Sequence, residues 1–153
     1  MGRITAILET AHQRAQEKGL VYRGAVTAVE AYELLQLAPH AKLVDVRTRA
    51  EIDWVGHVGD EIDCTEIEWL TYPSMKPNPN FVAHLDQQVD KESLVLFICR
   101  SGVRSHAAAT AATQAGFSAC YGVSDGFEGD LDGEHHRNTL NGWRAEGLPW
   151  AQS

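Results

Sequence analysis

The sequence predicts an α/β domain in which a parallel sheet is covered by helices on both faces. Three observations lead there. Strand-like and helix-like segments alternate over short connections. The run Leu94 to Ile98 is five consecutive apolar residues, which suits a central strand buried on both sides. A length of 153 residues, 44% of them apolar, is enough for one core without metals or disulfides. Ligands of such sheets sit beyond the carboxyl ends of the strands.

Taken in order, Ile4, Ile7, Leu8, Ala11 and Ala15 repeat at helical spacing and Gly19 follows Lys18, so the spacing predicts an amphipathic helix over 3–18. Residues 1–20 are read as an N-terminal helix packed on a single domain of residues 21–153. Thr27 and Glu30 form a capping box, and Ala28, Ala31, Tyr32 and Leu35 make the buried stripe of a second helix that stops before Pro39. A short strand is predicted from Leu43 to Val46, with a second capping box, Thr48 and Glu51, directly after it. Residues 59–79 mix acids, Trp69, Tyr72 and three prolines without a clear period, and a short strand is placed near Ile62. A helix follows from about Asn78 to Val89, with Phe81, Val82, Leu85 and Val89 inward. After the Leu94–Ile98 strand comes an alanine-rich helix from His106 to Ala115, closed by Gly116. Trp143 and Trp150 are expected to close the core near the C-terminus.

Composition narrows the functional classes. A net charge of −8 argues against nucleic acid or an anionic membrane as partner. The longest apolar run, Leu94 to Cys99, falls far short of the roughly 18 residues a membrane span needs, and the N-terminus lacks a signal-peptide stretch. Cys64, Cys99 and Cys120 are widely spaced with no C-x-x-C pair, which suggests neither a disulfide framework nor a zinc site. The expectation is a cytoplasmic protein in a reducing compartment, with no metal and no cofactor. His135 and His136 lie beside Asp130, Asp132 and Glu134, but the run misses EF-hand spacing and is read as a solvated acidic loop. From Ser93 to Ser124 there is no acid, and Arg100 and Arg104 lie inside that stretch with no local acid to cancel them.

Chemistry concentrates in Cys99-Arg100-Ser101-Gly102-Val103-Arg104-Ser105, between the buried strand and the following helix. A loop there points successive N–H groups at one spot, and the helix dipole adds partial positive charge. A cysteine at the bottom of that cradle is favoured as thiolate. Gly102 permits backbone angles that a residue with Cβ resists. A lone free cysteine is more often structural, yet the glycine, two arginines and a strand-to-helix junction favour a reactive Cys99.

This loop resembles the C-x-x-G-x-R active-site pattern of the rhodanese-like sulfurtransferases, through Cys99, Gly102 and Arg104. Upstream, Asp45-Val46-Arg47, Glu51 and Gly56-His57-Val58 resemble that family's "DVR … E … GHI" signature. Downstream, Gly126-Phe127-Glu128-Gly129 and Gly142-Trp143 … Gly147-Leu148-Pro149 resemble its closing motif. The resemblance implies a three-layer rhodanese-like domain with a mostly parallel sheet of about five strands. It departs where Gly59-Asp60-Glu61 follows Val58 and where the stretch between Gly129 and Gly142 is long; both places are expected at the mouth of the site.

The resemblance further implies a thiosulfate:cyanide type of sulfurtransferase. Cys99 takes sulfur from a small anionic donor such as thiosulfate, holds it as a persulfide, and passes it to cyanide or to a thiol, small or protein-borne. Arg100 is the candidate guide for the donor's charge, Arg104 a brace for the loop, and Ser101, Val103 and Ser105 complete the cradle. Asp45 and Arg47 are read as a structural ion pair near the site, and His57 as a structural histidine. One alternative is a sulfur carrier or redox-regulatory module that is modified without turnover. The other is a cysteine phosphatase or arsenate reductase, against which the four-residue gap between Cys99 and Arg104 counts.

Overall fold

The computed structural model describes residues 2–153. Along the chain the elements are α1 (Arg3–Lys18), β1 (Gly24–Val26), α2 (Ala28–Leu37), β2 (Lys42–Asp45), α3 (Arg49–Trp54), β3 (His57–Val58) and β4 (Cys64–Glu66). There follow β5 (Leu70–Thr71), β6 (Lys76–Pro77), α4 (Phe81–Gln88), β7 (Leu94–Ile98), α5 (Val103–Gln114), β8 (Ala119–Val123) and β9 (Trp150–Ala151). Five of the strands form one parallel sheet in the order β1-β8-β7-β2-β4. The pairs β3–β9 and β5–β6 are small antiparallel ribbons beside it.

Strand β7 lies at the centre because both of its faces are apolar. Val95 and Phe97 pack with Phe81 and Leu85 of α4 and with Ala108, Ala109 and Ala112 of α5. Leu96 and Ile98 point the other way, into a core shared with Ile7 and Ala11 of α1, Ala31 and Leu34 of α2, and Trp143. Three layers result, with each helix stripe covering one sheet face. Alternation along β7 then assigns Cys99, the next residue, to the face of α5.

Local signals set the ends of the elements. Both capping boxes form: the Thr27 and Thr48 hydroxyls accept from the N–H groups of Glu30 and Glu51, whose carboxylates accept from the threonine N–H groups in return. Helix α1 ends where Lys18 gives way to Gly19 in left-handed conformation. The helix approaches β1 so closely that a Cβ on Gly24 would lie 2.8 Å from the Ala11 methyl group. Buried Ile7, Ala11 and Ala15 make its inner face.

Three expectations are corrected and two strands are added. Helix α5 begins at Val103, three residues before His106, because its first turn belongs to the loop rather than to the alanine stripe. The strand placed near Ile62 is β4, starting at Cys64, and buried Ile62 sits in the turn before it. Strands β1 and β8, which complete the five, were not placed from the sequence; β1 has only three residues. Trp143 is fully buried, but Trp150 is 38% exposed, with the Arg144 guanidinium stacked 4.0 Å from its ring centroid.

Candidate active site

Strands β2 and β7 end in register, Asp45 opposite Ile98, so Arg47 and Cys99 emerge at the same carboxyl edge. Beyond β7 the chain turns back over the sulfur. The N–H groups of Gly102 and Ser105 donate to Cys99 Sγ at 3.1 and 3.3 Å. As a thiol, Cys99 donates to Ser105 Oγ at 3.5 Å, and that hydroxyl donates onward to the Gly102 carbonyl at 3.1 Å. The first turn of α5 lies directly against the sulfur, so its free amides and its dipole act on that atom.

Gly102 makes this curl possible. Its φ is +109°, and a Cβ there would collide with the Ser124 carbonyl. From behind, the Phe127 N–H donates to the Cys99 carbonyl at 2.8 Å, and the Glu128 N–H to the Arg100 carbonyl at 2.9 Å. The loop is therefore clamped by the segment after β8.

Cys99 is 1% exposed and forms the floor of a cavity of about 280 Å³. Arg100, Ser101, Val103 and Arg104 make one wall, and Leu70 and Met75 of the β5–β6 hairpin make the other. The hairpin thus occupies the mouth that had been expected from Gly59–Glu61 and from the stretch between Gly129 and Gly142, neither of which lines this cavity. In the latter stretch Asp132 is the hub, accepting from the N–H groups of Glu134 and His136 and from the Thr139 hydroxyl, which holds its carboxyl below the usual aspartate range.

The two arginines differ. Arg104 makes a bidentate bond to Glu51 at 2.7 Å on each arm, tying α5 to α3. The expectation of two uncancelled positive charges fails here, because the balancing acid comes from a segment 53 residues away. Burial alone would push the Glu51 carboxyl up, yet the bonds from Arg104 and from the Thr48 N–H and hydroxyl together hold it at about 2. Glu51 entered the sequence reading only as a cap and a signature residue, and its tie to Arg104 is visible only in three dimensions. Arg100 is exposed and makes no side-chain hydrogen bond or ion pair among the described residues, so its charge is free at the mouth.

Asp45 and Arg47 form a buried bidentate pair, the shortest arm 2.7 Å. Arg47 also donates to the Gly56 carbonyl at 2.9 Å, and its guanidinium lies 4.2 Å from the centroid of the Phe127 ring. Since Phe127 holds the Cys99 carbonyl, the pair supports the loop at one remove. His57 is not brought to the Cys99 cavity. Its Nδ1 donates to the Val58 carbonyl at 2.8 Å, and it borders a different hollow with Asp60, Glu61 and Cys64. The remaining cysteines are held as thiols: burial pushes Cys64 well up, and Cys120 to about 11.

A thiol under backbone amides at the tip of a central parallel strand defines a class of anion-cradling cysteine domains. Residues 27–131 match the family model of the rhodanese-like domain, and the chain belongs to that family. The RP600 homolog of Rickettsia rickettsii, an uncharacterized protein, is 34% identical over 127 residues, covering 82% of this chain and 94% of that one. The crystal structure of Rv0390 from M. tuberculosis shares 46% identity with a TM-score of 0.78, covering 86% of this chain and 99% of that chain. The polysulfide-sulfur transferase homodimer of Wolinella succinogenes shares the fold at 22% identity and a TM-score of 0.59, over 99% of this chain and 95% of that one. No helix is long and apolar enough to cross a membrane among the described residues.

Proposed function

We propose that the protein is a sulfurtransferase that carries sulfane sulfur on Cys99. The observation that carries the reading is the pair of N–H groups, Gly102 at 3.1 Å and Ser105 at 3.3 Å, trained on a sulfur that floors a cavity. In the first step the Cys99 thiolate attacks the outer sulfur of thiosulfate. The new S–S bond forms as the old one breaks, and sulfite leaves with the electron pair. In the second step cyanide or a thiolate takes the terminal sulfur, giving thiocyanate or a new persulfide and restoring the Cys99 thiolate. Both Cys99 states are anions at the same spot, so one set of donors serves both. Arg100 draws the donor to the mouth, and a reducing cytoplasm supplies thiol acceptors to match the three free cysteines.

Arg104 speaks against the phosphatase alternative. Both terminal nitrogens of its guanidinium bond to Glu51, whose carboxylate balances the positive charge that a phosphate would need. The test is intact mass after incubation with thiosulfate, followed by cyanide. Gain of one sulfur on Cys99, discharged as thiocyanate and abolished in Cys99→Ser, is the expected result. Thiocyanate formed at the wild-type rate by Cys99→Ser would remove the basis of the reading. An adduct that cyanide does not discharge would favour the non-turnover carrier.

A further inference from the structure

A further hollow, of about 400 Å³, lies on the β1–β8 side of the Cys99 loop, where Ala25 of β1 and Gly122 of β8 border it. Gly102, Ser105 and His106 contribute the edge formed by the loop and the first turn of α5. Lys18, Leu20 and Tyr22 contribute the edge formed by the end of α1 and the chain after it. These three and Ala25 precede residue 27, where the match to the rhodanese-like domain begins. Cys99, Arg100 and Arg104 line the cavity described above and do not line this hollow.

Its lining holds a cation and no carboxylate. A lysine in the last turn of a helix is ordinary, because it offsets the helix dipole. Lys18 differs in that it borders a hollow and makes no hydrogen bond or ion pair among the described residues. The Tyr22 hydroxyl meets His106 Nδ1 at 2.9 Å, with the two rings edge to face at 5.3 Å between centroids. When the phenol donates that bond, the proton of the neutral imidazole sits on Nε2, a donor with no partner among the described residues. Leu20, Ala25, Val103 and the Tyr22 ring supply apolar surface between these polar groups. One positive charge, a few polar groups and apolar walls in a hollow of this size suit a compact organic monoanion.

The hollow also bears on the sulfur. Gly102 and Ser105, which border it, are the two residues whose N–H groups donate to Cys99 Sγ. Burial pushes the Tyr22 hydroxyl above the usual tyrosine range and the charge of Cys99 adds to the shift, so this wall lies within electrostatic reach of the sulfur. We propose that the hollow is an effector site for a small monocarboxylate with an apolar body, and that the bound anion lowers the reactivity of Cys99. Lys18 and His106 hold the carboxylate, and the apolar walls hold the body. A negative charge placed there disfavours the neighbouring thiolate, and by linkage the thiolate weakens the hold on the anion to the same extent. The site itself is independent of the persulfide reading; only its effect on turnover rests on that reading.

The test titrates benzoate into the full chain by calorimetry, with benzamide as its uncharged counterpart and acetate as the charge without the body. Benzoate is expected to bind with a dissociation constant on the order of 1 mM and the other two more weakly. Lys18→Gln and His106→Ala, both at exposed side chains whose loss the fold tolerates, should each weaken benzoate about 3- to 10-fold. Arg100→Ala should leave its affinity unchanged. Binding lost in Arg100→Ala but kept in Lys18→Gln would put the anion in the Cys99 cavity and overturn the proposal, as would equal affinity for benzamide or no binding at all. The effect on the sulfur is read with iodoacetamide, an uncharged reagent, by mass analysis of the Cys99 peptide. Saturating benzoate should slow alkylation at pH 7 about 5-fold in the wild type, and Cys99→Ser should bind benzoate more tightly than the wild type does. An alkylation rate that saturating benzoate leaves unchanged overturns the effector role. Alkylation needs no sulfur donor, so these results are readable even if thiosulfate yields no thiocyanate, and their failure leaves the persulfide reading standing.

Discussion

Glu51→Gln tests how the loop is held. The carboxyl is kept at about 2 rather than its ordinary 4.5, by Arg104 and by the Thr48 cap. A carboxyl so lowered contributes about 3 kcal/mol to folding at neutral pH. Both partners are mostly buried, at 13% and 21% side-chain exposure, so solvent screening takes away little of this. Because the folded value is the depressed one, the contribution is complete above about pH 4.5 and disappears as the pH falls through about 2. At pH 3 about 1 kcal/mol is left. Urea unfolding of wild type and variant at a series of pH values therefore has a defined expectation: a gap of about 3 kcal/mol at pH 7, closing steadily below pH 4.5. Glutamine keeps a bond to the cap, which makes the gap at pH 7 an upper figure. A gap that stays constant from pH 7 to pH 3, or no gap at pH 7, would refute the reasoning. Either result would mean that the ion pair is not what depresses the carboxyl.

Three further outcomes are expected. Gly102→Ala places a Cβ against the Ser124 carbonyl at a φ of +109°; it should cost about 2–3 kcal/mol in chemical denaturation and slow persulfide formation about 100-fold, read by quenched-flow mass analysis. Asp125→Ala strands the Ala28 and Gly142 N–H groups, which donate to the buried carboxylate at 2.8 and 3.0 Å. A loss of about 2–4 kcal/mol should appear as a Tm lower by about 5–15 °C in calorimetry. Arg100→Ala should leave stability within about 0.5 kcal/mol, since the side chain is exposed. In the same variant kcat/KM for thiosulfate should fall, and its dependence on ionic strength should flatten, in an initial-rate assay.

What was legible in the sequence was local or periodic. The two threonine–glutamate boxes act within four residues, and both appear in the fold. The α1 stripe and β7 are patterns of one segment, and their bounds agree with the structure to the residue. The reverse holds where a neighbour decides. Gly102 starts α5 early because the chain must close over a sulfur, a demand that leaves no apolar stripe in the first turn: Val103 is 76% exposed. The acid-free stretch from Ser93 to Ser124 looked like uncancelled charge because sequence distance hid Glu51. Leu70 and Met75 carried no motif at all, and only the return of the hairpin toward the carboxyl edge brings them over Cys99. Of the residues singled out, the fold gathers Cys99 to Ser105 in one place, sets Asp45 and Arg47 behind them, and leaves His57 elsewhere.

The β5–β6 hairpin hangs on two paired residues per strand and contributes nothing to the central sheet. Cys99, by contrast, is rooted in the middle strand and bolted to the segment behind it. The molecule thereby keeps its candidate nucleophile and its threshold on separate pieces of chain. Evolution, or an engineer, can exchange the threshold to admit a different visitor while the hearth stays where it is.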